Sequence, residues 1–225
     1  MLGLTMVPRK PLRPIPVIAF VDWNTQRIAA RRHKNDAPDA EQVLEHVAKI
    51  IKNGLSDFLP DFRFEVRLRL YCGWHKGFEP TDRRRELAHI SDEDLFGISA
   101  HRNIVIRGLD YGDNALGALE SRRVAGTNSH LPGTCRDRGN GRLEEKMVDT
   151  ALVSDLIYCA ARDEDGSWLA ILGEDIDLMP GVYAAEGFLT TSDRKIAYLR
   201  DGTESYLLCQ DLRKFHREAE HGGHQ

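Results

Sequence analysis

The sequence predicts an α/β fold built on a mostly parallel sheet, and three features predict it. Two short runs, Val17-Ile18-Ala19-Phe20-Val21 and Trp168-Leu169-Ala170-Ile171-Leu172, are continuously apolar, as strands buried on both faces must be. Both lead into aspartate, directly at Asp22 and through Gly173-Glu174 at Asp175. Between and around them, helical spacing alternates with strand spacing, the pattern that successive βαβ units leave in a sequence.

The elements follow in chain order. Residues 1–16 contain four prolines and read as a flexible or extended arm, because proline removes backbone donors and forbids regular structure. The first buried strand comes next. Val43, Leu44, Val47, Ile50 and Ile51 then repeat at helical spacing, with Pro38 near the first turn and Asn53-Gly54 as a stop. In the stretch 62–71, Phe64, Val66, Leu68 and Leu70 alternate with Arg63, Glu65, Arg67 and Arg69, which predicts a strand with one covered face, near a sheet edge. Residues 72–142 read as an irregular insertion, with a short helix over Asp92 to Phe96, a strand over Asn103 to Arg107 and a loop rich in Gly, Asn and Arg from Gly126 to Gly141. A helix is expected over 143–162, with an apolar stripe of Leu143, Met147, Ala151, Leu152 and Leu156. After the second buried strand, a helix begins near Pro180 and a strand covers Lys195 to Leu199. Residues 201–225 form a polar extension holding a helical-looking segment at 206–216. The single α/β domain therefore runs over 17–200.

Composition sets limits. The 225 residues suit one domain with extensions or at most two small ones, and 41% hydrophobic with 29% charged residues is an ordinary globular profile. The net charge of −4 does not advertise a nucleic-acid binder, so any basic surface must be local. Cys72, Cys135, Cys159 and Cys209 form no CxxC pair and follow no signal peptide, so reduced thiols and a cytoplasmic location are expected. No apolar run reaches membrane-spanning length.

Strand geometry sends Asp22 and Asp175 to the same sheet edge, where open α/β sheets bind ligands. Asp177 lies two residues on, and Asp149 sits early in the helix preceding the second buried strand. Carboxylates gathered there repel one another unless a divalent cation neutralises them, and hard oxygen ligands suit Mg²⁺ or Mn²⁺ rather than zinc. Such a site activates water for phosphodiester hydrolysis without a Ser, Cys or His nucleophile. The plainer reading makes each aspartate a turn residue or helix N-cap, with Asp177 before Leu178-Met179-Pro180 the natural cap.

Three pieces, Val21-Asp22-Trp23-Asn24, Lys146-Met147-Val148-Asp149 continuing to Asp155, and Gly173-Glu174-Asp175-Ile176-Asp177-Leu178-Met179-Pro180, resemble the NYN domain of PIN-like ribonucleases, including its LabA-like branch. The resemblance covers the first strand and about 145–185. It implies a PIN-like, Rossmannoid three-layer α/β/α sandwich and metal-dependent hydrolysis of RNA in preference to DNA. It also implies metal-binding and catalytic roles for Asp22, Asp149, Asp175 and Asp177. Asn24 then supports the site, Lys146 partners a phosphate or carboxylate, and Asp155 either backs the metal-binding residues or positions the helix. The sequence departs from the family at Glu174, where a small residue is usual.

Other candidates are weaker on the residues alone. Arg136, Arg138 and Arg142 feed into the catalytic helix and are placed to hold substrate phosphates; Arg83 to Arg85 and Arg122-Arg123 are alternatives, and Trp23 or Trp74 is a candidate base-stacking ring. Cys72, His75, His130 and Cys135 have zinc-ligand chemistry but lack a tight knuckle. His216, His221 and His224 read as polar tail. Two rival functions use the same residues: a non-catalytic PIN-like module that binds RNA or protein, and a haloacid-dehalogenase-like phosphatase, which wants an acid where Asn24 stands. A homodimer would supply a groove for so open a site.

Overall fold

The computed structural model describes residues 13–32, 37–99, 103–114, 131, 133–139, 143–162, 166–189, 193–201 and 207–208. Its centre is a sheet of five parallel strands, to which a short antiparallel strand is added at one edge. Strand β1 (Ile15–Asp22) lies between β2 (Phe64–Tyr71) and β8 (Trp168–Leu172); β5 (Ile104–Tyr111) flanks β2, β9 (Ile196–Leu199) flanks β8, and β10 (Leu207–Leu208) pairs antiparallel with β9. The continuously apolar runs are thus the central strands, as expected. β1 begins at Ile15, so the last two residues assigned to the arm belong to the sheet.

Helices cover both faces and make three layers. Val17, Ala19 and Val21 join Leu68, Leu70, Ala170 and Leu172 under α1 (Trp23–Arg31) and α2 (Ala40–Phe58). Phe20, Tyr71, Leu169, Ile171 and Tyr198 face α5 (Val148–Ala161) and α6 (Met179–Leu189). The period-2 alternation of strands decides which side each residue joins, and it sends Asp22, like Phe20, toward the α5 face.

Several boundaries differ from the sequence reading. α1 was not expected from the sequence; Asp22 caps it, and its buried Trp23, Gln26, Ala29 and Ala30 supply the inward face. α2 runs through Asn53-Gly54 to Phe58, because Leu55 is buried in the core and that contact outweighs the stop signal. β2 alternates as read and stands one strand in from the edge, covered beyond it by β5.

Residues 143–147 are not helical: Leu143–Glu145 is a strand, β7, paired antiparallel with β6 (Cys135–Asp137). Met147 then takes a left-handed φ of 61° and α5 starts only at Val148, leaving Leu143 and Met147 of the supposed stripe exposed. In the extension, Leu207–Leu208 is strand rather than helix, and the rest of that segment lies outside the described residues. The insertion also holds a two-strand ribbon, β3 (His75–Lys76) with β4 (Glu79–Pro80), then α3 (Asp82–Leu87) and α4 (Asp92–Ser99). Among the described residues, no helix is long and apolar enough to cross a membrane.

Candidate active site

The chain runs from β1 outward to β2 and β5, then returns to lay β8 on the other side of β1. The switch in winding direction therefore falls between β1 and β8, the position beyond whose strand carboxyl ends open α/β sheets bind ligands. Asp22 is the last residue of β1. Gly173 follows β8 directly, and a methyl group added to it would stand 3.8 Å from Asp22 Cβ, so the two strand ends adjoin.

Asp22 is 6% exposed. Its carboxylate caps α1, accepting from Thr25 N at 3.2 Å and from the Thr25 hydroxyl. Burial pushes its pKa up, the two Thr25 bonds pull it down, and the charges of Glu145 and Asp149 push it up again. Asp149, the second residue of α5, is raised by burial and then by Asp175, Glu145 and Asp177. Acids from four separate stretches thus share one field, and each ionisation makes the next harder.

Asp175 caps the 3-10 turn Ile176–Leu178, accepting from Asp177 N at 2.9 Å. The cap is Asp175, not Asp177, because the chain turns two residues earlier than the Pro180 signal suggests. Glu174, Asp175 and Asp177 are all exposed. Among the described residues, no three His, Cys, Asp or Glu side chains stand close enough to enclose a metal ion. The donor set nevertheless suits Mg²⁺ or Mn²⁺, because it is all carboxylate, and burial first and neighbouring acids second raise the pKa of Asp22 and Asp149.

Glu145 is the residue that the sequence reading missed. At the end of β7, its Oε1 accepts from Arg83 Nη1 at 2.7 Å, from the Cys72 thiol at 3.0 Å and from Gly73 N at 3.1 Å. Its charge bears on both Asp22 and Asp149. The available signal was the pair of short strands around Gly139-Asn140-Gly141, which makes Glu145 a strand end rather than a helix interior.

Asp155 lies on the buried side of α5 with 0% exposure. It accepts from Arg69 Nη1 at 2.7 Å and Tyr71 Oη at 2.6 Å, fastening the helix to β2. This is a helix-positioning role. The neighbouring Cys159 thiol, whose pKa burial raises to about 11, takes a weaker bond from the same Arg69.

The basic candidates divide. Arg136 and Arg138 lie exposed on β6 and just beyond it, and Arg138 is already engaged in a two-pronged pair with Glu144 through Nε at 2.8 Å and Nη2. Lys146 and Arg136 act on the same Glu144, whose carboxyl is held below its usual value first by the Arg138 bond. Arg142, His130 and Arg122-Arg123 lie outside the described residues. Asn24, the second residue of α1, is half-buried beside Asp22.

Neither tryptophan is a stacking platform. Trp23 is buried in the core, and Trp74, equally buried, donates Nε1–H to Leu70 O at 2.9 Å and packs edge-on against Tyr111. Cys72, His75 and Cys135 do not converge either: Cys72 donates to Glu145, Cys135 to Gly73 O at 3.4 Å, and His75 Nδ1 lies 2.5 Å from Asp113. A hollow lined by Pro16, Ile18, Glu65, Arg67, Arg107 and Ser167 lies at the opposite, amino ends of the strands and holds none of the acids.

No protein-family model, curated protein or solved structure matches this chain.

Proposed function

We propose that this protein is a metal-dependent nuclease that hydrolyses phosphodiester bonds of RNA. The observation that carries the reading is that Asp22 ends β1 beside Gly173, which leads into Asp175 and Asp177, at the β1/β8 switch point. The likeness of three short motifs to NYN domains supports it.

Asp22, Asp149, Asp175 and Asp177 would hold Mg²⁺ or Mn²⁺. Such an ion, when bound, supplies Lewis acidity and makes a water acidic enough to attack at neutral pH. The chain's own contribution is placement. The Thr25 bonds fix Asp22, the Asp155 clamp fixes the helix that carries Asp149, and the tight turn after Gly173 presents Asp175 and Asp177 together. Asn24 offers a neutral polar group where a general acid would otherwise stand, which disfavours phosphatase chemistry.

A second reading has its own observation. Asp22 and Asp175 are satisfied caps, as a purely structural role requires, which suits a module that binds without cutting. A cleavage assay with Mg²⁺ or Mn²⁺ on single-stranded and duplex RNA separates the two, with Asp22→Asn as control. Metal-dependent cleavage that vanishes in the variant supports the nuclease. Binding without turnover in either metal sinks it in favour of the module.

A further inference from the structure

Arg83 places a cation beside the acids. Tyr71 is level with Asp22 in the neighbouring parallel strand, and Cys72 and Gly73 follow it directly. Glu145 Oε1 is fixed at this strand end by the Cys72 thiol at 3.0 Å and the Gly73 amide at 3.1 Å, and Arg83 Nη1 donates to the same oxygen at 2.7 Å. Arg83 Nη1 also lies 3.4 Å from Cys72 Sγ. The guanidinium is therefore held at the carboxyl end of β2, one strand interval, or about 4.8 Å, from the strand that Asp22 ends. A methyl group at Gly73 would collide with Cys135 Sγ and stand 3.2 Å from Glu145 Cγ, so the close fit of β6 and β7 on this strand end needs glycine.

Arg83 is engaged through one nitrogen. Its Nε and Nη2 have no hydrogen-bond partner among the described residues, and its side chain is 36% exposed. Other arginines of the region are committed further. Arg69 is 15% exposed and clamped on Asp155, Arg138 places two nitrogens on Glu144, and Arg194 is buried against three backbone carbonyls. A guanidinium anchored by one N–H, with the rest of its fork uncommitted, is preorganised to grip an anion in two-pronged fashion. Its anchor is also the acid whose charge reaches both Asp22 and Asp149, so Arg83 offsets part of the negative field that an incoming phosphate meets.

We propose that Arg83 is a further catalytic residue, gripping the scissile phosphate through Nε and Nη2 while Glu145 holds Nη1. This rests on the nuclease reading and assigns that site its phosphate contact. In the hydrolysis a water oxygen bonds to phosphorus, and the bond from phosphorus to the leaving oxygen breaks with its electron pair on that oxygen. The leaving oxygen then takes up a proton, and the water's other proton stays on the new phosphoryl group or passes to solvent. Negative charge on the oxygens around phosphorus grows before those protons settle, and a fixed guanidinium stabilises that state more than the bound substrate. Glu145 is a positioning residue, since it touches Arg83 and not the phosphate.

The test compares Mg²⁺- and Mn²⁺-dependent cleavage of one labelled RNA by full-length wild-type, Arg83→Ala, Arg83→Lys and Glu145→Gln proteins. Arg83→Ala should lower kcat about 100-fold or more, with a smaller change in KM. Arg83→Lys, which keeps the charge without the fork, should recover part of that loss. Glu145→Gln still offers Arg83 an acceptor and should lose far less than Arg83→Ala. A second readout is binding, with Asp22→Asn as the uncleaving background and a methylphosphonate at the mapped cleavage position as the probe. Preference for the native linkage over this uncharged one should shrink about tenfold when Arg83 is also alanine. Equal losses in Arg83→Ala and Glu145→Gln, or a preference that survives Arg83→Ala, overturn the inference while wild-type cleavage leaves the nuclease reading standing. If the wild-type chain cleaves no RNA in either metal, that reading falls and the inference with it.

Discussion

Arg83 donates to Glu145 Oε1 at 2.7 Å, and this bond ties the inserted segment to a residue four positions before Asp149. The irregular stretch between β2 and α5 is therefore part of the site's framework, since one end of the bond is in α3 and the other ends β7, three residues before α5 begins.

Breaking that tie should cost activity more than stability. Arg83→Ala removes a half-exposed charge-assisted bond worth about 1 kcal/mol, which urea denaturation would register as a small shift in midpoint. Cleavage should fall at least tenfold, because Glu145 and the start of α5 lose their anchor. An unchanged rate would mean that the bond is only structural.

The clamp on Asp155 should behave in the opposite proportion. Asp155→Ala strands a largely buried Arg69 and should cost about 3–5 kcal/mol, whereas Tyr71→Phe, which removes one donor, should cost about 1–1.5 kcal/mol. Thermal unfolding of the two variants side by side checks the ordering.

Asp22 combines a cap and a charge, and substitution separates them. Asp22→Asn keeps an N-cap side chain, so stability should move by only a few tenths of a kcal/mol; Asp22→Ala loses the cap and should cost about 1 kcal/mol. Both should abolish cleavage. Residual activity in the asparagine variant would remove Asp22 from the chemistry.

The raised pKa values of Asp22 and Asp149 fix a pH dependence without metal. In the window just above 3.8, the unfolded chain has released protons that the folded chain still holds, so stability falls as pH rises until both aspartates ionise in the fold. A divalent cation binds the ionised form, so the Mn²⁺-induced rise in melting temperature should grow through the same window and shrink in Asp149→Asn. A rise independent of pH would contradict the assignment.

Helix packing offers a test away from the site. A methyl group at Gly181 would collide with Val153 where α6 crosses α5, and Gly181→Ala should cost about 1–3 kcal/mol by overpacking.

The two apolar strands and their aspartates could be read from the sequence because burial on both faces leaves no polar residue to interrupt the run. Asp22 was legible for the same reason. Glu145 was not: Leu143, Met147, Ala151 and Leu156 imitate a helical stripe, and only the pairing of β6 with β7 breaks it. Trp74 misled in another way. A ring flanked by Gly73 and His75 looks like a loop residue, yet its indole is satisfied by a carbonyl four residues back.

The placement of β8 beside β1 has a consequence for the order of events during synthesis. Asp22 emerges early from the ribosome, but Asp175 follows some 150 residues later, and the strand pair that unites them has among the longest sequence separations in the sheet. Contacts of that span form slowly. A nascent chain of the first two thirds therefore carries Asp22 and Asp149 without Asp175 and Asp177, and the acidic cluster is complete only when the final third docks.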